Sequence, residues 1–228
     1  MIPNMKKFVL GLAMMATFAV VLIIFFSPVF NGKNGLEYLD DLYNSISKGS
    51  AYYIPKLREE VQAFGGSTVE MTLALKSADQ ARQTSLLFEK AGALINVSES
   101  TLKVSGDLGA ILQSCLEDAD AMYFNDGGKL SNRYGYDERQ VMYNWWTASQ
   151  EMDKDLKKQK KFKEADMVAT VEKKAVETVY NYYRIQAQKI SERYGVVVLS
   201  LIFYVIYTVW YGFAFMFLFE GWGMKLEH

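Results

Sequence analysis

Two uninterrupted apolar stretches stand near opposite ends of the chain, and between them the pattern breaks into short amphipathic repeats. Phe8 to Phe30 forms the first run and Gly195 to Phe219 the second, and neither contains a charged residue. Each matches the roughly twenty apolar residues that a helix needs to cross a bilayer core. The first run exceeds the roughly 7–15-residue core of a cleavable signal, and Phe25-Phe26-Ser27-Pro28 offers no small-residue cleavage site. The pattern therefore predicts transmembrane helices over 8–30 and 195–219, with 1–7 and 220–228 as short flanks and 31–194 as one domain.

Within that middle the periods change repeatedly. Leu36, Leu39, Leu42, Tyr43 and Ile46 recur at helical spacing, and Pro55 suits the first turn of a second helix. Val69, Met71, Leu73 and Leu75 alternate with Glu70, Thr72, Ala74 and Lys76. That alternation fits a half-buried strand, whereas the capping-box spacing of Ser67 and Glu70 fits the start of a helix; periodicity leaves both open. Ser77 to Lys90 reads as helix with Gly92 beyond its end. Ile95 to Val97 and Leu102 to Val104 read as a short hairpin. Asp107 to Phe124 reads as helix, Asn125 to Gly128 as a turn, Ser131 to Gly135 as loop and Asp137 to about Lys160 as helix. A last helix is expected to run from Glu164 into the second apolar run almost without a break, extending roughly 45 Å beyond the membrane. The predicted fold class is a mainly α membrane protein. Two transmembrane helices flank a helical-bundle domain, with a small β element near 69–75 and 95–104.

Charge adds an orientation and removes a partner. Lys6 and Lys7 favour a cytoplasmic N-terminus, and Lys225 favours the same side for the other end, which puts 31–194 outside the cytoplasm. Outside the middle the only charged side chains are those three lysines, Glu220 and Glu227, so the domain is close to neutral. No basic excess invites nucleic acid.

Candidate chemistry is sparse. His228 is the sole histidine, in a Leu226-Glu227-His228 ending with the form of an affinity-tag remnant, and is set aside. Histidine-based triads and metal sites are then excluded, and no phosphate loop or dinucleotide fingerprint occurs. Cys115 stands alone on an apolar helix side, as a small core residue. Glu117, Asp118 and Asp120 followed by Asn125-Asp126-Gly127-Gly128 suggest calcium, but residues 121–124 interrupt the EF-hand run of ligands. They read instead as a solvated helix face and turn, so no metal, cofactor or enzymatic activity is expected.

Two aromatic groups remain. Tyr134, Tyr136, Tyr143, Trp145 and Trp146, with Asp137 and Glu138 beside them, admit a pocket for a flat or cationic small molecule. They also admit a ring-filled core with polar tips at its surface, which is the favoured reading. In the second apolar run Tyr204, Tyr207, Thr208 and Tyr211 share one side, while Gly11 and Ala16 lie on a small-residue side of the first. Those six are the candidate interface, whether with the first helix, a second copy or a larger membrane partner. Tyr207 lies deep enough that its hydroxyl is expected to bond another helix.

These readings point to a non-catalytic structural or assembly subunit of the cell envelope. It is anchored in the cytoplasmic (inner) membrane and forms a homo-oligomer or joins a larger complex in the bilayer. The alternative is an extracytoplasmic small-molecule sensor. The two-helix architecture resembles the sensing half of bacterial transmembrane receptors, but only 220–228 follow the second helix, so a separate output protein is implied. Polysaccharide co-polymerases share the plan too, but their proline-rich second membrane segment is missing, and no family match follows.

Overall fold

The computed structural model describes residues 2–224; Lys225 and the Leu226–His228 ending lie outside the described residues. The elements in chain order are α1 (Met5–Phe25), α2 (Gly35–Ser50), α3 (Ile54–Gln62), β1 (Thr68–Ala74), α4 (Ala78–Lys90), β2 (Leu94–Ser98) and β3 (Thr101–Asp107). There follow α5 (Leu108–Tyr123), α6 (Gly127–Tyr134), α7 (Glu138–Lys158), α8 (Phe162–Val171), a π-helical turn (Glu172–Glu177), α9 (Thr178–Asn181) and α10 (Ile190–Gly221). They form two compact units, Met1–Ile46 with Gln188–His228, and Ser47–Ala187.

In the first unit α1 and α10 pack as an antiparallel pair, and both are long and apolar enough to cross a membrane. Asn4 caps α1 by accepting from the Lys7 amide at 3.2 Å. Close approach depends on glycine: a Cβ on Gly11 would lie 2.6 Å from the Leu218 nitrogen, and Gly221 abuts Phe8. Rings fill the rest of the seam, with Phe18 stacked on Tyr207 at 4.8 Å and Phe25 on Phe203 at 5.7 Å. At the terminal end Lys7 pairs with Glu220 at 2.6 Å and the Asn4 amide donates to the Gly221 oxygen at 3.1 Å.

Helix α1 ends at Phe25, before the apolar run does. Proline disfavours helical backbone at the residue before it, so Ser27-Pro28 stops the helix. Nor is the exit loose. Asn31 (φ 54°) and Gly32 (φ 81°) make a tight turn, and Phe30 and Lys33 exchange main-chain bonds of 3.0 and 3.1 Å.

The second unit combines helices with a three-stranded antiparallel sheet of order β1-β3-β2. The alternation at 69–75 is a strand: Val69, Met71 and Leu73 are buried while Glu70 and Thr72 are exposed. Met71 pairs with Val104 and Leu73 with Leu102. This apolar face joins one core with Phe88, Leu108, Ile111, Leu112, Trp145 and Met152. The outer edge of β1 is covered by α7, where Gln159 donates to the Glu70 oxygen at 2.7 Å and Asp155 accepts from the Thr72 amide at 3.3 Å. Ser77 caps α4 through the Gln80 amide at 3.1 Å, and Asp107 caps α5 through the Ala110 amide at 2.9 Å.

Two expectations are corrected. The stretch expected as turn and loop contains α6, because Leu130 and Tyr134, one helical turn apart, both bury, and Gly135 (φ 79°) ends it. The expected unbroken rod from Glu164 does not form either. Its helix widens into the π-helical turn and stops at Asn181, and Tyr182–Lys189 is irregular up to α10. Arg184 turns left-handed (φ 67°), and side chains replace the missing helical bonds. Asn125 accepts from the Arg184 amide at 2.8 Å and donates to the Ile185 oxygen at 3.1 Å, while Lys48 donates to that oxygen at 2.6 Å.

Candidate functional site

Rings of the second unit divide between two places. Tyr134 and Trp145 belong to the core, and the group that orients them is Asp118. This carboxylate, 2% exposed, accepts from the Tyr134 hydroxyl at 2.6 Å, the Trp145 indole at 2.8 Å and Arg133 at 3.2 Å. Burial raises its pKa, against the pull of those donors. Burial and the Asp118 charge together push the Tyr134 hydroxyl far above its usual value. Asp118 is therefore not on a solvated face. Helical spacing carried the signal, since Asp118 falls three residues after Cys115 and four before Met122 on the apolar stripe of α5.

Asp120, two residues on, accepts from Tyr52 at 2.7 Å and Arg58 at 3.0 Å. With Asp118 engaged elsewhere, the acidic run is spent on separate protein donors. Among the described residues no group of three or more acidic, histidine or cysteine side chains could hold a metal ion. Cys115, 1% exposed, has its thiol pKa raised by burial.

Tyr136 lies between the two places. Its hydroxyl donates to the Gln83 oxygen at 3.2 Å, and burial pushes its pKa up to about 12. Beside it the fully buried Asn144 accepts from Gln140 at 2.9 Å and donates to Gln83 at 3.2 Å. Asp137 is exposed and caps α7, accepting from the Arg139 and Gln140 amides at 3.0 Å each. Its neighbour Glu138 is held down at about 2, first by its own main-chain amide and then by the Tyr183 and Ser131 hydroxyls.

Tyr143 and Trp146 lie on another side of α7, stacked at 5.8 Å. With Glu177, Tyr180 and Asn181 they line a cleft of about 200 Å³. The Lys76 ammonium donates to the Tyr143 hydroxyl and lowers its pKa. Of the six residues singled out for a pocket, Tyr143 and Trp146 come together at this cleft. Tyr180 follows the aromatic cluster in the sequence, on the expected last helix, whereas nothing in the spacing singled out Glu177 and Asn181.

The buried Lys48 had no forewarning. It is 1% exposed, donates to Ile185 and to Asn125 at 3.0 Å, and lies 5.2 Å from the Tyr123 ring centroid. Burial lowers its pKa to about 8.

The helix pair also sorts its six candidates. Gly11 is buried on the seam, Tyr207 stacks on Phe18 at 4.8 Å, and Tyr211 lies tilted against the same ring at 5.3 Å. Tyr204, Thr208 and Ala16 are exposed, and Thr208 bonds back to the Tyr204 oxygen at 2.5 Å. The Tyr207 ring, half-buried, meets α1 by stacking on Phe18. Near Tyr204, Tyr43 and Ser200 share a hydroxyl bond of 2.7 Å.

No family model, curated protein or solved structure matches this chain.

Proposed function

We propose that this chain is a non-catalytic, membrane-anchored assembly subunit whose helix pair associates with a second copy or a larger membrane complex. One observation carries the reading: α10 keeps Tyr204 and Thr208 exposed after α1 has covered Tyr207. Thr208 satisfies its own hydroxyl on the Tyr204 oxygen, but the exposed Tyr204 hydroxyl on a helix this apolar favours a protein partner over lipid, because hydrocarbon offers it no bond. The membrane concerned is the cytoplasmic (inner) membrane, with both termini cytoplasmic and residues 31–194 outside. Lys6 and Lys7 support that side, and the Lys7–Glu220 pair supports a common side for both ends. The engagement of Asp118 and Asp120 in bonds that shape the core supports a structural role over hydrolysis.

The test is the mass of the intact protein extracted in mild detergent. A defined homo-oligomer, or a stoichiometric membrane protein that co-purifies, is expected. A monomer at all concentrations, alone, would overturn the proposal.

A further inference from the structure

The cleft between α7 and α9 plays no part in the packing described above, and its lining is chemically specific. Tyr143, Trp146 and Tyr180 supply three rings, Glu177 a carboxylate and Asn181 an amide, and no lysine or arginine lines it. Glu177 is exposed and closes the π-helical turn, which leads directly into Tyr180 and Asn181. A π-turn inserts one extra residue into the helical ladder and is frequent at functional sites. Two of the rings already attract protein cations: the Arg139 guanidinium lies 5.3 Å from the Tyr180 centroid, and the Lys76 ammonium 5.2 Å from the Tyr143 centroid.

We propose that this cleft binds a small organic cation, an alkylated ammonium group, with its charge met by Glu177 and its alkyl groups against Trp146, Tyr143 and Tyr180. Ring faces attract such cations through their quadrupoles, and a neighbouring carboxylate adds a counter-charge. A divalent metal is a poor occupant, since one carboxylate and one amide fall well short of the six or more oxygens calcium takes. An anion meets the Glu177 charge. A neutral ring would use the aromatic faces but not the carboxylate. The cleft, about 200 Å³, is smaller than drug-sized sites of about 300–1,000 Å³, which limits the occupant to a head group. That head group is carried by free choline-like ions and by choline lipids alike.

The experiment uses the full chain in phosphatidylglycerol nanodiscs, titrated with tetramethylammonium and with choline. Tryptophan emission and calorimetry report binding, and sodium chloride controls for ionic strength. Saturable binding is expected, with the neutral choline isostere 3,3-dimethyl-1-butanol at least tenfold weaker. Glu177→Gln should weaken binding about tenfold and Tyr180→Leu about fivefold, each with an unchanged circular dichroism spectrum. In phosphatidylcholine nanodiscs, loss of the titration identifies the lipid head group as the occupant, and an unchanged titration identifies the free ion. The proposal is overturned if the wild type shows no saturable binding, if the neutral isostere binds equally, or if folded Glu177→Gln binds as the wild type does. An oligomer and a monomer are equally able to bind, so this outcome is independent of the assembly proposal.

Discussion

The Lys48 ammonium donates to the main-chain oxygen of Ile185 at 2.6 Å, in a site where Lys48 is 1% exposed. That bond helps to hold the irregular segment that replaces a continuous helix. Burial lowers the Lys48 pKa from 10.5 to about 8, so between those values the unfolded chain binds a proton that the folded chain does not. Stability should therefore rise with pH across that window, by on the order of 2 kcal/mol. Urea unfolding of the full chain in non-ionic detergent measures it. The rise should be absent in Lys48→Met, which separates it from tyrosine titration.

Asn125 makes three bonds at the same place: from Lys48 at 3.0 Å, from the Arg184 amide at 2.8 Å and to the Ile185 oxygen at 3.1 Å. Asn125→Ala should cost about 1–2 kcal/mol, since it removes three bonds at a half-buried site while Lys48 and the Ile185 oxygen keep each other. Asn125→Asp should cost less, because it gives Lys48 a carboxylate, and it should flatten the alkaline rise. The same unfolding series reads both effects.

Asp118 carries the opposite charge in the same core. Asp118→Ala leaves Tyr134, Trp145 and Arg133 without their acceptor and should destabilise by about 3–5 kcal/mol. Asp118→Asn keeps one acceptor oxygen and should cost about 1–2 kcal/mol. Red-shifted tryptophan emission at lower urea concentrations would report loosening around Trp145.

Gly11 and Ala16 separate the two kinds of surface on α1. A Cβ at Gly11 meets the Leu218 nitrogen at 2.6 Å and the Ala214 oxygen at 3.0 Å, so Gly11→Ala must part the helices. A cost of about 1–3 kcal/mol is expected, as for other overpacked contacts, visible as a lower melting temperature in detergent. Ala16 is exposed, and Ala16→Leu should leave the melting temperature of the monomeric fraction unchanged.

Where structure depends on neighbours in the chain, it was legible beforehand. The Ser77 cap, the hairpin around Ser98 to Thr101 and the apolar stripe of α5 each follow from spacing within one element. Alternation at 69–75 was ambiguous because a strand needs a partner, and that partner, β3, begins only at Thr101, beyond α4 and β2. The break after Asn181 was invisible for a stronger reason. Local periodicity continues through Tyr182, and what ends the helix is Asn125 and Lys48, both remote in sequence. The same remoteness hid the cleft, because Tyr143 and Trp146 are local to each other but Glu177 and Tyr180 reach them only through the fold.

The proposed association through α10 is tested most directly by site-specific photocrosslinking in native membranes. A photoreactive phenylalanine analogue is placed at Tyr204, Thr208 or Tyr207 in turn. Tyr204 and Thr208 are exposed, whereas Tyr207 stacks on Phe18 of its own chain. Adducts of higher mass are expected from positions 204 and 208, and an unshifted, internally linked product from 207. Monomer alone at 204 and 208, or higher-mass adducts at 207 only, would contradict the account.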